Sequence, residues 1–342
     1  MPRKRCCKDV LQYGQRDDQS ESCPSQSSKA CGRHVQGSSA AACVDPPGDH
    51  SVTKQSRIDV STLVAIDVHV HLEAIDDVTA TDAAAKKYFG ESGASRDPQA
   101  LAEYYRSRKI AFVVFAVDER LTGRRRVTNE EVIHFAAENA DIAIPFASID
   151  PHRGADGVRE ARELVASGVI RGLKLHPPIQ QFSPSDAIAY PLYEVFAEAR
   201  LPVIFHTGHS GIGTGMPGGG GIRLKYGNPM PIDDVAVDFP TLPIIMAHPS
   251  FPWQDEAISI CLHKPNVYID LSGWSPKYFS PILVQYANSR LRSKVLFGSD
   301  YPFITPDRWL ADFAQISIRD DVRPLIVKEN AVKLLQLNEN RP

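Results

Sequence analysis

The chain lacks the features that would assign it to several broad classes. It has no run of about 18 apolar residues, which a helix needs to span a bilayer. Its formal net charge is only −3, so it has no excess of positive charge for nucleic acid or an anionic membrane. Five of its six cysteines precede residue 44 and only Cys261 follows, so the rest of the chain has no disulfide framework. We therefore expect a cytoplasmic protein that binds neither membranes nor nucleic acid.

Large apolar residues are scarce in residues 1–57, which are rich in Ser, Gln, Lys, Arg and Cys. No helical or strand period persists there, so we predict a mostly disordered tail. The basic start is not followed by the apolar stretch of a secretion signal. The cysteines of the tail do not show the C-x2–4-C pairs of structural zinc sites. Residues 58–342 are expected to form one folded domain.

Eight short apolar runs follow, and longer amphipathic stretches separate them. Several runs are almost wholly apolar, as strands buried on both faces are. The runs cover residues 64–70, 110–117, 142–148, 169–175, 202–205, 243–247, 266–271 and 294–298. Each is therefore predicted to be a β-strand.

The stretches between the runs carry helix signals, such as the capping box Thr128-x-x-Glu131. Helices are predicted over residues 97–108, 128–139, 153–166, 185–200, 253–263, 280–291, 307–316 and 323–337. Eight strand–helix units favour a (β/α)8 TIM barrel, an α/β fold of parallel strands. The alternative, a doubly wound sheet, needs a phosphate-binding turn, and Gly211-x-Gly213-x-Gly215 precedes no clear helix start.

Histidines stand at the end of the first run, in the sequence Ile66-Asp67-Val68-His69-Val70-His71. Side chains alternate between the two faces of a strand, so His69 and His71 share one face. In a barrel, the inward direction at this end of a strand is the floor of the active site. Two imidazoles there can hold one metal ion, although a surface His-x-His pair also occurs by chance.

Other polar residues of the same kind stand where later runs end. His206 ends the fifth run, His248 follows the sixth, and Asp300 follows the eighth. A chance distribution would place such residues equally on helices and loops. The repeated position at strand ends therefore predicts one shared site.

These motifs resemble the amidohydrolase superfamily, and more narrowly the amidohydrolase-related group that includes aminocarboxymuconate-semialdehyde decarboxylase. The similarity runs from about residue 64 to residue 337 and includes Gly-Leu-Lys-Leu-His-Pro, Ala-His-Pro, Phe-Gly-Ser-Asp-Tyr-Pro and Glu-Asn-Ala-x-x-Leu-Leu. The resemblance implies one divalent metal ion held by His69, His71, His206 and Asp300. Zinc is the default for these ligands, with manganese and iron as alternatives. It also implies catalytic roles for Asp300, as the base for water, and for His248, as an acid–base or orienting residue.

Lys174 and His176 end the fourth run on one face. In binuclear members of the superfamily a lysine on this strand is carboxylated and bridges two metals, so a second ion stays an alternative. We favour Lys174 as a contact for a substrate anion or as a structural ion pair. His176 is a candidate substrate contact, or it shapes the loop that Pro177 begins.

The segment 207–231 is long and rich in glycine, and loops of this length are uncommon unless they are functional or disordered. We interpret it as a substrate loop in which Arg223 and Lys225 meet an acidic group, or as a surface loop with solvated charges. Trp274, after the seventh run, either walls the pocket or serves packing.

The same metal site supports two reactions. Hydrolysis of a small organic acid or its activated ester, including β-ketoacyl thioesters, is the leading hypothesis. Non-oxidative decarboxylation of an aromatic or unsaturated acid is the alternative. Several benzoate-type decarboxylases of the group resemble one another in carrying Glu-x-His where this chain has His69-Val70-His71, whereas the semialdehyde decarboxylase itself has His-x-His. A non-catalytic binding barrel is a third hypothesis. The expected partner is a small acidic molecule, and a homo-oligomer is compatible with the sequence.

Overall fold

The computed structural model describes residues 58–75, 79–90, 92–124 and 126–338. The predicted tail, residues 1–57, lies outside this part of the chain. Within it, no helix is both long enough and apolar enough to cross a bilayer.

Eight parallel strands form the centre of the fold. They are β1 Ala65–His71, β2 Ile110–Phe115, β3 Ala143–Pro145, β4 Leu173–Leu175, β5 Val203–His206, β6 Ile244–Ala247, β7 Val267–Asp270 and β8 Val295–Leu296. β1 to β3 pair in sequence order, and so do β4 to β8. A parallel bridge joins Ala147 to Leu173, and a second joins Val70 to Tyr301. Because both seams between the sheets are bridged, the strands close into the predicted barrel.

Helices follow the strands along the chain. They are α1 Ala80–Phe89, α2 Pro98–Ser107, α3 Asn129–Glu138, α4 Ala155–Ala166, α5 Pro177–Gln180, α6 Tyr190–Glu198, α7 Pro231–Asp238, α8 Gln254–His263, α9 Pro281–Ala287, α10 Pro306–Ala314 and α11 Asn330–Leu334. Three of these helices were not predicted from the sequence: the short α5, α7 after β5, and α1, whose apolar positions are mainly alanines. Its start is nevertheless marked by a capping box between Thr79 and Asp82. The predicted last helix is split, since a π-helical turn, Leu325–Glu329, precedes α11.

Two apolar layers hold these elements together. One lies inside the barrel and includes Ile66, Val113 and Ile204. The other lies between strands and helices and includes Val70 and Tyr105. Almost all of these side chains are fully buried, so the strand ends are fixed by packing on both faces.

β1 departs from simple alternation next to its histidines. Its pairing with β2 shifts register between Asp67 and Val70. Val68 packs inside the barrel, and Val70 packs against the helices. Between them, His69 faces the interior, where its ring lies 4.9 Å from that of His248. A bulge of this kind re-aims side chains, and here it turns the histidine pair toward the barrel axis.

Candidate metal centre

Five predicted site residues meet at the carboxyl ends of the strands. His69, His206, His248 and Asp300 are buried, and His71 is partly exposed. His248 and Asp300 follow their strands with φ angles of 70° and 72°. This left-handed conformation is unfavourable for residues other than glycine, and such strain is concentrated at functional sites.

One carboxylate joins the two histidines of β1. Asp300 Oδ1 lies 3.3 Å from His69 Nε2 and 3.2 Å from His71 Nε2. The potential ligand atoms of these three residues all lie within 4.8 Å of one another. They form a compact set of two nitrogens and one oxygen that opens on the barrel mouth.

His206 adds a third nitrogen, which the hydrogen bonds around it leave free. His248 Nδ1 lies 3.0 Å from the carbonyl oxygen of Ser272, which only accepts, so this nitrogen carries the proton. In a neutral ring, His248 Nε2 then accepts from His206 Nδ1 at 3.0 Å. His206 Nε2 is left with a lone pair, and within the described part of the chain this buried atom has no hydrogen-bond partner.

Burial determines the protonation of these rings. It lowers the pKa of His69 to about 3, with a further decrease from the charge of Lys174. It also lowers the pKa of His206 well below the ordinary value. Both imidazoles are therefore neutral at pH 7, and each offers a lone pair.

These side chains fit a divalent cation. His69 Nδ1 lies 3.0 Å from Asp270 Oδ2 and donates to it, so His69 Nε2 carries a lone pair. This lone pair faces the Asp300 carboxylate and Lys174 Nζ. The buried His206 Nε2 has no hydrogen-bond partner among the described residues, so its lone pair is open to a cation. Three neutral imidazoles and one carboxylate are a donor set typical of zinc and also suited to manganese or iron.

Two cavities open on this centre, and both are lined by Phe89, His206, Gly211, His248 and Asp300. We name the first the polar cavity, since it is also lined by Glu73, Asp82, Arg96, Glu119, Arg124 and Arg126. We name the second the aromatic cavity, since it is also lined by Tyr88, His209, Trp274, Tyr278 and Ile304.

The family of the chain follows from comparison with known proteins. The amidohydrolase family model matches residues 66–337, most of the chain. The chain is a member of the amidohydrolase family. No curated protein sequence matches it significantly. The resemblance predicted from the strand-end motifs is thereby confirmed, and it assigns the protein to a superfamily of metal-dependent enzymes.

Solved structures share the fold of this amidohydrolase at low identity. An uncharacterized TIM-barrel protein from Bordetella bronchiseptica is 24% identical, with a TM-score of 0.65 over 80% of this chain and 98% of that chain. The 5-carboxyvanillate decarboxylase of Sphingomonas paucimobilis is 16% identical, with a TM-score of 0.59 over 80% and 98%. A dihydroxybenzoic acid decarboxylase from Polaromonas, with bound manganese, is 16% identical, with a TM-score of 0.55 over 80% and 97%.

The remaining predicted residues of the amidohydrolase site lie in different places. The ring of His176 stacks on His206 with centroids 3.8 Å apart and lines the polar cavity. Trp274 lines the aromatic cavity. Arg223 and Lys225 are exposed and line neither cavity. Their contact with substrate stays a prediction.

Lys174 lies beneath the centre. It is fully buried, and its Nζ is 3.0 Å from His69 Nε2. Burial lowers its pKa to about 8, although the charges of Asp270 and Asp300 oppose the shift. It lines neither cavity, so this position favours an internal electrostatic partner over a substrate contact.

The residues that support the candidate ligands were not predicted from the sequence. Asp270 accepts from His69 Nδ1, and Ser272 Oγ lies 2.9 Å from His248 Nδ1 and donates to Asp270. A carboxylate behind a ligand histidine fixes the tautomer and the ring orientation. The sequence position of Asp270 could have revealed this support, because Asp270 ends an apolar strand as the other site residues do.

His69, His248 and Asp270 also form a second potential ligand group. Their hydrogen bonds to one another favour a supporting role over a second ion.

Proposed function

We propose that this amidohydrolase is a hydrolase that acts on a small organic acid or its activated ester with one divalent ion. The observation that carries the proposal is the position of the centre, where the polar and aromatic cavities share His206, His248 and Asp300. Hydrolysis divides a molecule into two fragments. A centre between two cavities can hold one fragment on each side.

His69, His71, His206 and Asp300 would hold the ion. An ion bound there polarises a carbonyl oxygen and lowers the pKa of water toward 7. Proton transfer and orientation are the proposed roles of Asp300 and His248.

Asp300 is the proposed base. Burial raises its pKa, but the hydrogen bond from His71 and the nearby histidines outweigh burial, so the pKa lies below the usual range. The carboxylate is therefore ionised and ready to take a proton from the attacking water, which it then passes to the leaving group.

His248 has two proposed roles. It holds His206 Nδ1 as a donor, which points the His206 Nε2 lone pair away from this contact. It also lines both cavities, where its ring would orient the reacting group beside the ion.

Decarboxylation is the second candidate, and the fold neighbours favour it. Two of them are named as decarboxylases of 5-carboxyvanillate and of dihydroxybenzoic acid, which are aromatic acids. One of these holds manganese, so manganese is tested beside zinc. We rank this reaction second because the carbon dioxide it releases needs no cavity of its own.

The experiment is a substrate screen on protein loaded separately with zinc, manganese or iron(II). Esters, lactones and β-diketones are followed by acid release, and hydroxybenzoates by release of carbon dioxide. We expect acid release that disappears in His206→Ala protein purified in the same way. Carbon dioxide release from a hydroxybenzoate would replace hydrolase with decarboxylase. No turnover with any metal would leave a binding barrel as the better description.

A further inference from the structure

The polar cavity contains an arginine with hydrogen-bonding capacity to spare. Arg124 contacts Glu73 at 3.3 Å and also pairs with Asp82, yet its buried Nε has no hydrogen-bond partner among the residues that the structure describes. An unpartnered guanidinium nitrogen is costly in a protein interior. It is therefore suited to an acceptor supplied by a ligand.

The carboxylates Asp82 and Glu119 of this cavity already accept hydrogen bonds, and Glu73 Oε2, which accepts none, lies 3.3 Å from Arg96 Nε. Asp82 accepts from Thr79, from Arg96 and from Arg124. Glu119 accepts from the backbone and the hydroxyl of Thr122. The carboxylates of the wall thus already face hydrogen-bond donors or an arginine, whereas Arg124 Nε is a buried donor without a partner among the described residues, and this difference favours an anion over a cation.

Two more side chains of the polar cavity could donate to a ligand. These are His176 through Nδ1 and Ser210 through Oγ, both buried and without a hydrogen-bond partner among the described residues. With Arg124 Nε they give the cavity wall three potential donors, beside the acceptors Glu73 Oε2 and His206 Nε2. A carboxylate can accept from several such groups at once.

The aromatic cavity has a different surface. Tyr88 and Tyr278 line it while 44% and 65% exposed, respectively, and Trp274 adds an indole that packs on Phe251 at 5.4 Å. Ring faces of this kind bind a planar apolar group by stacking or edge contacts. Arg308 also lines the cavity but is exposed, so its charge stays hydrated.

We propose that the substrate is a carbonyl compound with an anionic group on one side of the scissile bond and an aryl group on the other. The anion binds Arg124 in the polar cavity, the ring binds Trp274 in the aromatic cavity, and the carbonyl lies between them at the metal centre. This inference rests on the proposed hydrolase function.

Monophenyl succinate has this arrangement and serves as the probe. Water attacks the ester carbonyl, a bond forms between the acyl carbon and the water oxygen, and the bond to the aryl oxygen breaks. One proton of the water passes through Asp300 to the aryl oxygen, and phenol leaves. The products are phenol and succinic acid, so no further reactant is needed.

The test compares three esters on zinc-loaded protein. Monophenyl succinate has both groups, phenyl acetate lacks the acid, and methyl hydrogen succinate lacks the ring. Each kcat/KM is divided by the rate of alkaline hydrolysis of the same ester, which removes differences in leaving group. We expect monophenyl succinate to exceed each of the others by at least about tenfold, the scale of one charged hydrogen bond. Equal values for the three esters would overturn the proposal.

Two variants assign the groups to the cavities. Arg124→Gln should raise the KM for both succinate esters at least about tenfold and leave the KM for phenyl acetate unchanged. Trp274→Leu should raise the KM for both phenyl esters several-fold and leave the KM for methyl hydrogen succinate unchanged. An unchanged KM for the remaining ester shows that the variant protein is folded. Arg120→Gln, at an exposed residue between β2 and α3 that lines neither cavity, is the control.

A binding measurement separates this proposal from the proposed function. The Kd of 4-oxo-4-phenylbutanoate, which has the ring and the acid on a ketone, is measured by calorimetry. Binding weakened by both variants without hydrolysis of any ester would sustain the substrate class and contradict the hydrolase. Hydrolysis with binding that neither variant weakens would contradict the substrate class alone.

Discussion

The floor of the active site and the walls of its cavities are built differently. On the floor, His69 is fully buried and hydrogen-bonded to Asp270, which Ser272 also contacts. In the walls, Tyr278 is 65% exposed, and Arg124 keeps a nitrogen without a partner. Strand ends fix the floor, whereas α1 and the loops after the strands supply the walls. We infer that the floor determines the chemistry and that the walls determine the substrate.

The largest effect is expected from removing a floor ligand. His69→Ala should yield protein without metal and without detectable turnover, because the remaining ligands leave the coordination incomplete. Metal analysis of the purified protein is the measurement. His134→Ala, on the exposed face of α3, is the matched control and should keep its metal. A normal metal content in His69→Ala would contradict the inference that the floor residues hold the metal and so determine the chemistry.

A smaller effect is expected from a change that keeps the shape of the floor. Asp300→Asn removes the negative charge and the basicity, so kcat should fall by at least about 10²-fold, the scale of one positioned proton-transfer group. Steady-state kinetics at saturating metal measure it. Activity close to that of the wild type would mean that another group takes the proton of the water.

A still smaller effect, on metal affinity, is expected from changing Asp270, which supports His69. Asp270→Asn keeps an acceptor for His69 Nδ1 but loses the charge, so metal affinity should fall about 10- to 100-fold. Competition with a chelator gives the affinity. If the affinity is unchanged, the carboxylate serves packing alone.

The smallest effect concerns exposed charges outside both cavities. Changing Arg223 and Lys225 together to Ala should raise KM for an acidic ester less than Arg124→Gln does, because solvent screens exposed charges. Metal content should not change. A KM equal to that of the wild type would make them ordinary surface charges, and a larger rise than for Arg124→Gln would move the anion site into the glycine-rich loop.

The fold and the site floor were predictable because both rest on short-range patterns. Apolar runs located all eight strands, and the polar residue after each of several runs located the centre. The bulge in β1 was not predictable. Simple alternation places Asp67 on the face of His69, whereas Asp67 accepts from Tyr105, a residue packed between strands and helices. Because β1 is buried on both faces, its hydrophobic pattern does not show a one-residue change of register.

The walls could not be predicted because they join residues that are far apart in the chain. Arg124 follows β2, Tyr88 lies in the last turn of α1, and Trp274 follows β7, and the closed barrel brings them to the same mouth. Loop conformation decides which charges face a cavity. The sequence therefore drew attention to Arg223 and Lys225, whereas Arg124 is the arginine with an unpartnered atom.

The most direct test of the account is the metal content of three proteins purified in parallel: the wild type, His206→Gln and His248→Gln. We expect one divalent ion per chain in the wild type and in His248→Gln, whose kcat should still fall by about 10²-fold, and no ion in His206→Gln. A metal-free His248→Gln protein, or two ions per wild-type chain, would contradict it and favour a binuclear centre that includes His248 and Lys174.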